Sequence, residues 1–246
     1  MKIIFLGTNG WYDTETGNTV CVLIETKNKY VIFDAGNGLY KIDKYIKKDK
    51  PIYLFLSHLH LDHVIGFHVM NKFNFKQGID IYGPMGLKVF FKQVVNKSYT
   101  MPISRIKTKV RLHEIINPHA LPRGIECKPL KHSIFCYGYR ALLENKIVSY
   151  CTDTGVCKNL LLLAKNSDLF ITECSYKPGQ NDKAWPHLNP ESAAKVAKEA
   201  EVKRMALVHF DASLYLNFKE RVEAQKASRK IFKNSFASYD NMKIDL

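Results

Sequence analysis

Long hydrophobic runs are missing from this sequence, which nowhere approaches the ~20 consecutive apolar residues of a membrane-spanning helix. The opening MKIIFLGTNG carries a five-residue apolar run, too short for the core of a secretory signal, and its LGTNG ending reads as a strand entering a turn. A cytoplasmic protein with no membrane partner is the expectation. Cysteine is sparse and unpaired in pattern, six residues (Cys21, Cys127, Cys136, Cys151, Cys157, Cys174) with no C-x-x-C spacing. This argues against a disulfide scaffold and for free thiols, several inside apolar strands, in a reducing compartment. Arginine is scarce too, seven of 37 basic residues, so the formal net charge of +14 is carried mostly by lysine. Such a balance favours anionic partners, phosphates included, without naming one. The densest lysine cluster, KIDKYIKKDK (Lys41 to Lys50), reads as a solvated helix face or loop. Internal repeats, low-complexity tracts and Pro/Gly/Ser linkers are absent as well. With 246 residues, 46% of them hydrophobic, one globular domain over residues 1–246 is expected.

The first third reads as short strands rich in Ile, Val and Phe: MKIIFLG, TVCVLIET, KYVIFDAG and PIYLFLS, then IDIYGP and a helix-like GLKVFFKQVVNK. The second half repeats this order, with RLHEI, IECKPLKH, CYGYRALLE and KIVSYCTD followed by a helical NLLLLAKN and the strand DLFITEC. NPESAAKVAKEAE has a helix signature, with Asn189 as cap and Pro190 at the first helical position. MALVHF is a strand and FKERVEAQKASRKIF an amphipathic helix. Two strand-rich blocks, each finishing in helices, predict two sheets packed face to face with helices outside.

Where PIYLFLS ends, the chain places His58, His60, Asp62 and His63 within six residues. His58 and His60 are two apart and point the same way in extended backbone. One tetrahedral metal does not take all four groups from so short a segment, but two adjacent metals do, the first two histidines on one and the last pair on the other. Further ligands then come from elsewhere. His132 (KPLKHSIF), Asp153 (SYCTDTG) and His209 (MALVHF) share the position of the first cluster, the carboxyl end of an apolar strand. His113 and His119 sit in polar, irregular contexts, and His68, on the following helix, is expected to pack in the core.

H-x-H-x-D-H followed by distant His, Asp and His resembles the metallo-β-lactamase superfamily. FLGTNGWYDTETGNT is similar to the first-strand signature of its ribonuclease Z branch and IFDAGNG to its Asp-x-Gly turn, while PLKHSIFCYGYR, SYCTDTG, DLFITECSY, MALVHF and the ending YDNMKIDL match its later motifs in order. The resemblance implies an α+β fold, the αββα four-layer sandwich of two mixed sheets. It implies two zinc ions, with manganese or iron as alternatives: His58, His60 and His132 on the first, Asp62, His63 and His209 on the second, and Asp153 bridging them with a hydroxide. His187, in WPHLNPESAA, matches a histidine that stabilises phosphoryl oxygens or protonates the leaving group. Asn189 stands where that loop usually has Thr. Asn37 stands where the branch often has Glu after the Asp34-x-Gly turn, which leaves the turn's hydrogen bonding open.

Only 21 positions separate His132 from Asp153, enough for one hairpin turning near Asn145. Ribonuclease Z carries a long arm there that clamps transfer RNA. The small phosphodiesterases of the branch, acting on cyclic nucleotides or cyclic ribose phosphates, have a similarly short interval, and phage-encoded enzymes that destroy cyclic-nucleotide immune signals also resemble it. The resulting expectation is a metal-dependent hydrolase of a small anionic phosphodiester, a cyclic nucleotide first, with Asp62 orienting the nucleophile and His187 serving the leaving group. An endoribonuclease acting on RNA or tRNA 3′ ends and a thioester or lactone hydrolase are the alternatives. Thr154, Ser133 and Arg140 are candidate supporting groups. The resemblance further implies a homodimer, and residues 96–122, polar and basic, read as a lid or dimer-contact loop.

Overall fold

The computed structural model describes residues 1–182 and 184–246. In chain order its strands are β1 (Lys2–Gly7), β2 (Asn9–Gly10), β3 (Cys21–Glu25), β4 (Tyr30–Phe33), β5 (Ile52–Phe55), β6 (Ile79–Gly83), β7 (Val110–Glu114), β8 (Ile125–Pro129), β9 (Tyr137–Leu143), β10 (Lys146–Cys151), β11 (Leu169–Glu173), β12 (Met205–Val208), β13 (Phe210–Asp211), β14 (Ser235–Ala237) and β15 (Lys243–Asp245). The helices are α1 (Leu61–Val64), α2 (Leu87–Gln93), α3 (Lys158–Ala164), α4 (Pro190–Glu199) and α5 (Phe218–Arg229), with 3-10 turns at Asn37–Lys44 and Ile65–Lys72.

One mixed sheet has seven strands in the order β15-β1-β3-β4-β5-β6-β7, and the other has six in the order β14-β12-β11-β10-β9-β8. Pairing is parallel from β4 through β7 and again from β10 through β11 and β12 to β14. The segments carrying His58 to His63, Asp153 and His209 follow the carboxyl ends of the parallel strands β5, β10 and β12, and His132 follows the antiparallel edge strand β8.

Alternation along β1 shows why the layers form. Ile3 and Phe5 enter a core between the sheets with Val22, Phe33, Phe55, Tyr139, Tyr150 and Ile171, while Ile4 and Leu6 turn to the outer face against Leu39, Ile42 and Phe67. A strand buried on both faces reads as a continuous apolar run, which is how MKIIFLG looks. The second sheet packs its outer face, including Phe170 and Leu207, on Leu160, Leu163, Ala193, Ala197 and Ala224 of α3, α4 and α5. This is the expected four-layer αββα sandwich of two mixed sheets. Asn189 caps α4 in a reciprocal capping box with Ser192, and Pro190 opens the helix. All six cysteines are free, and Cys157 alone is less than buried. No described helix is long and apolar enough to cross a membrane.

Several expectations are corrected. RLHEI, placed in the second block, is β7 and pairs parallel with β6 at the edge of the first sheet, so residues 96–122 are not one loop. The lysine cluster is not wholly solvated: Lys41 is buried, donating to the Leu6 carbonyl and to Asp240 at 2.6 and 2.7 Å. His68 is exposed rather than packed in the core. The 132–153 interval, by contrast, is the single hairpin expected, β9–β10, whose turn residues Glu144 and Asn145 both have positive φ (50° and 62°), the geometry of a tight two-residue turn.

Phe33 is fully buried between the sheets and stacks on Tyr150, centroids 4.9 Å apart and rings 6° from parallel. Phe33→Ala is expected to destabilise the fold by about 3–5 kcal/mol, read from denaturant midpoints; a loss under 1 kcal/mol would contradict this packing.

Candidate metal centre

The site begins with Asp34 at the end of β4, fully buried with φ 57°. A buried carboxylate is tolerable only when saturated with donors. It accepts from the Ser57 N–H at 2.7 Å, from Ser57 Oγ at 2.9 Å and from Tyr150 Oη of the opposite sheet at 2.7 Å. It also lies 2.8 Å from His63 Nδ1. That contact makes Nδ1 the protonated nitrogen and turns Nε2 inward. Gly36, two residues on, has no alternative: a Cβ there would meet the Asp62 carbonyl at 2.4 Å and the Val20 carbonyl at 2.6 Å. Asn37 ties the same turn through Nδ2 to Asp13 Oδ2 at 2.7 Å, so the Asp34-x-Gly turn is bonded without a glutamate.

β5 then delivers the histidine segment. His58 is fully buried, its Nδ1 2.9 Å from Ser57 Oγ and its Nε2 2.9 Å from His60 Nδ1. His132 Nε2 lies 3.3 Å from the same His60 Nδ1, which makes one group of three imidazoles. The second group is Asp62, His63 and His209. His209 Nε2 is 3.1 Å from His63 Nε2 and 3.2 Å from Asp62 Oδ2. Asp153 Oδ2 lies 3.2 Å from both His63 Nε2 and His209 Nε2, and Asp153 also falls within reach of His58 and of His132. The structure therefore brings together all seven side chains singled out as metal ligands, in two groups with Asp153 between them.

The donor set fits cations. Inward nitrogens and oxygens face one another at about 3 Å with too few protons to bond them all, and His132 Nδ1 is buried with no hydrogen-bond partner. Burial drives His58 and His60 below the usual imidazole range and takes His132 down to about 4, so the first group is neutral and offers lone pairs. In the second group burial opposes charge on His63, but Asp62, Asp153 and Asp34 overcome it and raise the imidazole well above its usual range. Asp62 and Asp153 are correspondingly held well below theirs, against burial, by the neighbouring histidines. A divalent ion between these groups would supply the positive charge that protonation of His63 otherwise supplies.

Beside these groups stands His187, its Nδ1 2.9 and 3.0 Å from the two oxygens of Glu173. Glu173, fully buried at the end of β11, also accepts from the Thr154 N–H at 2.5 Å, the Leu188 N–H at 3.1 Å and Ser175 Oγ at 2.7 Å. Burial lowers the His187 pKa, but Glu173 and then Asp153 outweigh it and bring it up to about 9. His187, Asp153, Asp62, His60, His132 and His209 line one cleft of about 290 Å³.

Glu173, Ser175 and the orienting role of Asp34 were not foreseen from sequence. Of the supporting candidates, Thr154 donates its N–H to Glu173, and Ser133 Oγ lies 3.4 Å from His132 Nε2. Arg140 is elsewhere, donating to the Leu163 and Lys165 carbonyls at the end of α3. His113 stacks on Tyr82 and pairs with Asp80 at the sheet edge. The side chain of His119 lies outside the described residues.

Comparison with known proteins adds to this geometry. The model of the beta-lactamase superfamily domain matches residues 29–210. Ribonuclease Z of Microcystis aeruginosa is 26% identical, over 98% of this chain and 94% of its own. That alignment runs over 308 positions, so dozens of them have no counterpart in the 246 residues here. Among solved structures, the metallo-beta-lactamase fold protein YhfI from Bacillus subtilis superposes with a TM-score of 0.81 at 20% identity, covering 99% of each chain. Human tRNase Z, short form, gives 0.77 at 22% identity, over 100% of this chain and 99% of its own. These two likenesses are of fold.

Asp34→Asn keeps the shape but weakens the acceptor that orients His63. Affinity for zinc is expected to fall 10–100-fold, measured by competition with a chromophoric chelator, while far-ultraviolet circular dichroism shows the protein folded. Affinity equal to the wild type's would refute the orienting role of Asp34.

Proposed function

Because the chain belongs to the beta-lactamase superfamily, we propose that it is a metal-dependent phosphodiester hydrolase whose substrate is small, a cyclic nucleotide in first place. The observation that carries this is the Glu173–His187 pair facing two groups of metal-type ligands across a single cleft of about 290 Å³. That volume lies at the lower end of the ~300–1,000 Å³ usual for small-ligand pockets. Between His132 and Asp153 the chain builds only the short β9–β10 hairpin, whose two-residue turn lies at the end away from the cleft, against Lys27 and the Met1 amino group, so this interval carries no long arm to grip a folded RNA.

His58, His60 and His132 would hold one ion, and Asp62, His63 and His209 the other, with Asp153 shared. Zinc suits this donor set, and manganese or iron could also be accepted. When bound, the ions supply positive charge to the phosphate and lower the pKa of water. The chain's own groups do the rest. Asp62 Oδ2, held at 2.8 Å by the Trp11 N–H, orients the attacking water oxygen toward phosphorus. As the new P–O bond forms, the bond to the ribose oxygen breaks and the surplus proton of the water passes to solvent. His187 hands that oxygen its Nε2 proton, while Nδ1–H stays on Glu173. A thioester or lactone hydrolase has no use for a cationic His187 held by a buried glutamate. Whole-length similarity to ribonuclease Z favours one second reading, cleavage of RNA 3′ ends. We place the protein in the cytoplasm as a homodimer, which light scattering of the purified chain checks.

Zinc-loaded protein is expected to open cyclic mononucleotides and to lose this activity to a chelator; cleavage of precursor tRNA with cyclic nucleotides untouched would decide for the second reading. His187→Ala should lower kcat roughly 10²–10⁴-fold at unchanged metal content. Protonated His187, the acid form, persists below about 9 and is lost above it. Glu173→Gln removes the main cause that raises it, so the alkaline fall of the kcat profile should move to lower pH. An unmoved limb would remove the pair from the mechanism.

A further inference from the structure

The chain has two tryptophans, and both line the metal cleft. Both are also far from buried, Trp11 being 66% and Trp185 49% exposed. Indoles are the largest apolar side chains, and scattered single exposures are ordinary. Exposure of the only two at the mouth of the same cavity is not scatter. Each is fixed from its backbone while the ring is left open. Trp11 sits at φ 71°, a conformation that a bulky residue adopts only under constraint, with its N–H bonded to Asp62 and its ring edge-on to Tyr12 at 5.2 Å. The Trp185 carbonyl accepts from Tyr176 Oη at 2.7 Å. Its ring lies 6.3 Å from His132 and 6.2 Å from His187 between centroids.

The two residues therefore stand at different ends of the cleft, Trp11 anchored by its backbone N–H on Asp62 and Trp185 with its ring beside His132 and His187. In a cyclic nucleotide the base stays on the ribose whose oxygen leaves. With that oxygen at His187, the one ribose that carries both ester oxygens and the base lies within reach of the Trp185 ring. We propose that Trp185 and Trp11 wall a base-binding subsite, Trp185 stacking the nucleobase and Trp11 closing the far side, so that the substrate class is nucleotides rather than base-free sugar phosphates. This rests on the phosphodiesterase reading for its chemistry but not for its binding. Stacking on an indole takes any base, because every base has a π-face.

Having only these indoles, the protein reports on the subsite by its own fluorescence. Metal-loaded protein is titrated with adenosine 5′-monophosphate and with ribose 5-phosphate, the same anion without the base. Excitation is at the red edge of indole absorption, where adenine is transparent. The nucleotide is expected to quench saturably in the wild type and in Trp11→Phe, which retains Trp185 alone, while ribose 5-phosphate is not. Trp185→Ala should weaken nucleotide binding, and raise KM for a cyclic nucleotide, about ten-fold or more, with Trp185→Phe intermediate. Equal quenching by ribose 5-phosphate, or nucleotide binding by Trp185→Ala as tight as the wild type's, overturns the proposal. Turnover of cyclic nucleotides without base-dependent quenching removes the subsite and leaves the hydrolase. Base-dependent quenching without turnover of any phosphodiester leaves the subsite and removes the hydrolase.

Discussion

One buried carboxylate joins the fold to the site. Asp34 belongs to the first sheet, accepts from Tyr150 of the second, holds Ser57 where β5 gives way to the histidine segment, and orients His63 on α1. Stripped of these partners it would be an ion in an apolar core, which costs several kcal/mol. With them it is a reason for the two sheets to close in one register. The alternation that packs Phe33 against Tyr150 and the polar contact one residue later therefore select the same arrangement.

The site is built under local strain. Trp11, Asp34, Asp153 and His209 all have positive φ, between 52° and 71°, and none is glycine. Such residues cost on the order of 1–3 kcal/mol each and persist only where the surroundings over-determine them. Here the surroundings are rigid strand ends backed by three apolar layers. Close approach adds to the constraint: a Cβ on Gly10 would lie 2.4 Å from the His209 ring, so β2 can run beside that imidazole only as glycine. At Asp153 and His209 the positive φ accompanies a side chain that faces the cleft, while at Asp34 it accompanies one directed beneath the cleft, toward Ser57 and His63.

Much of this was legible in sequence because it obeys short-range rules. Strands with both faces buried show as apolar runs, helix α4 announces itself through Asn189 and Pro190, and the candidate ligands fall at or just past the carboxyl ends of strands. Glu173 obeys that last rule as well, closing DLFITE, yet a lone glutamate carries no spacing that marks it. Partners remote in sequence were not legible. β7 changed sheets because its hydrogen bonds go to β6, which no local pattern of RLHEI declares. Lys41 looked like one more surface lysine because its acceptors, Leu6 and Asp240, lie 35 and 199 residues away. His68 follows the ligand segment on a 3-10 turn rather than a regular helix, and the change of period puts it outside. The tryptophans say nothing in sequence, since only the cavity shows that they meet.

The lysine-rich charge invites the view that basic residues here serve to attract phosphate, but two of them work inward. Arg221 of α5 is buried, stacks on Phe210 at 4.5 Å, and donates to Thr8 Oγ1 at 2.8 Å, Thr16 Oγ1 at 3.1 Å and to Asn9 Oδ1. Lys41 bonds Asp240, whose other contacts are Thr8 and the Asn18 N–H. Between them these cations anchor both ends of the loop from Thr8 to Asn18, which carries Gly10 against His209 and the Trp11 N–H against Asp62. A buried guanidinium without acceptors is as costly as a buried carboxylate without donors, so the loop cannot leave without stranding both charges. The first residues of the chain are thus held at the cleft by a helix near its end, and a site whose candidate ligands come from both sheets acquires a fixed rim. That rim makes an exposed indole at position 11 a wall rather than a flexible tip.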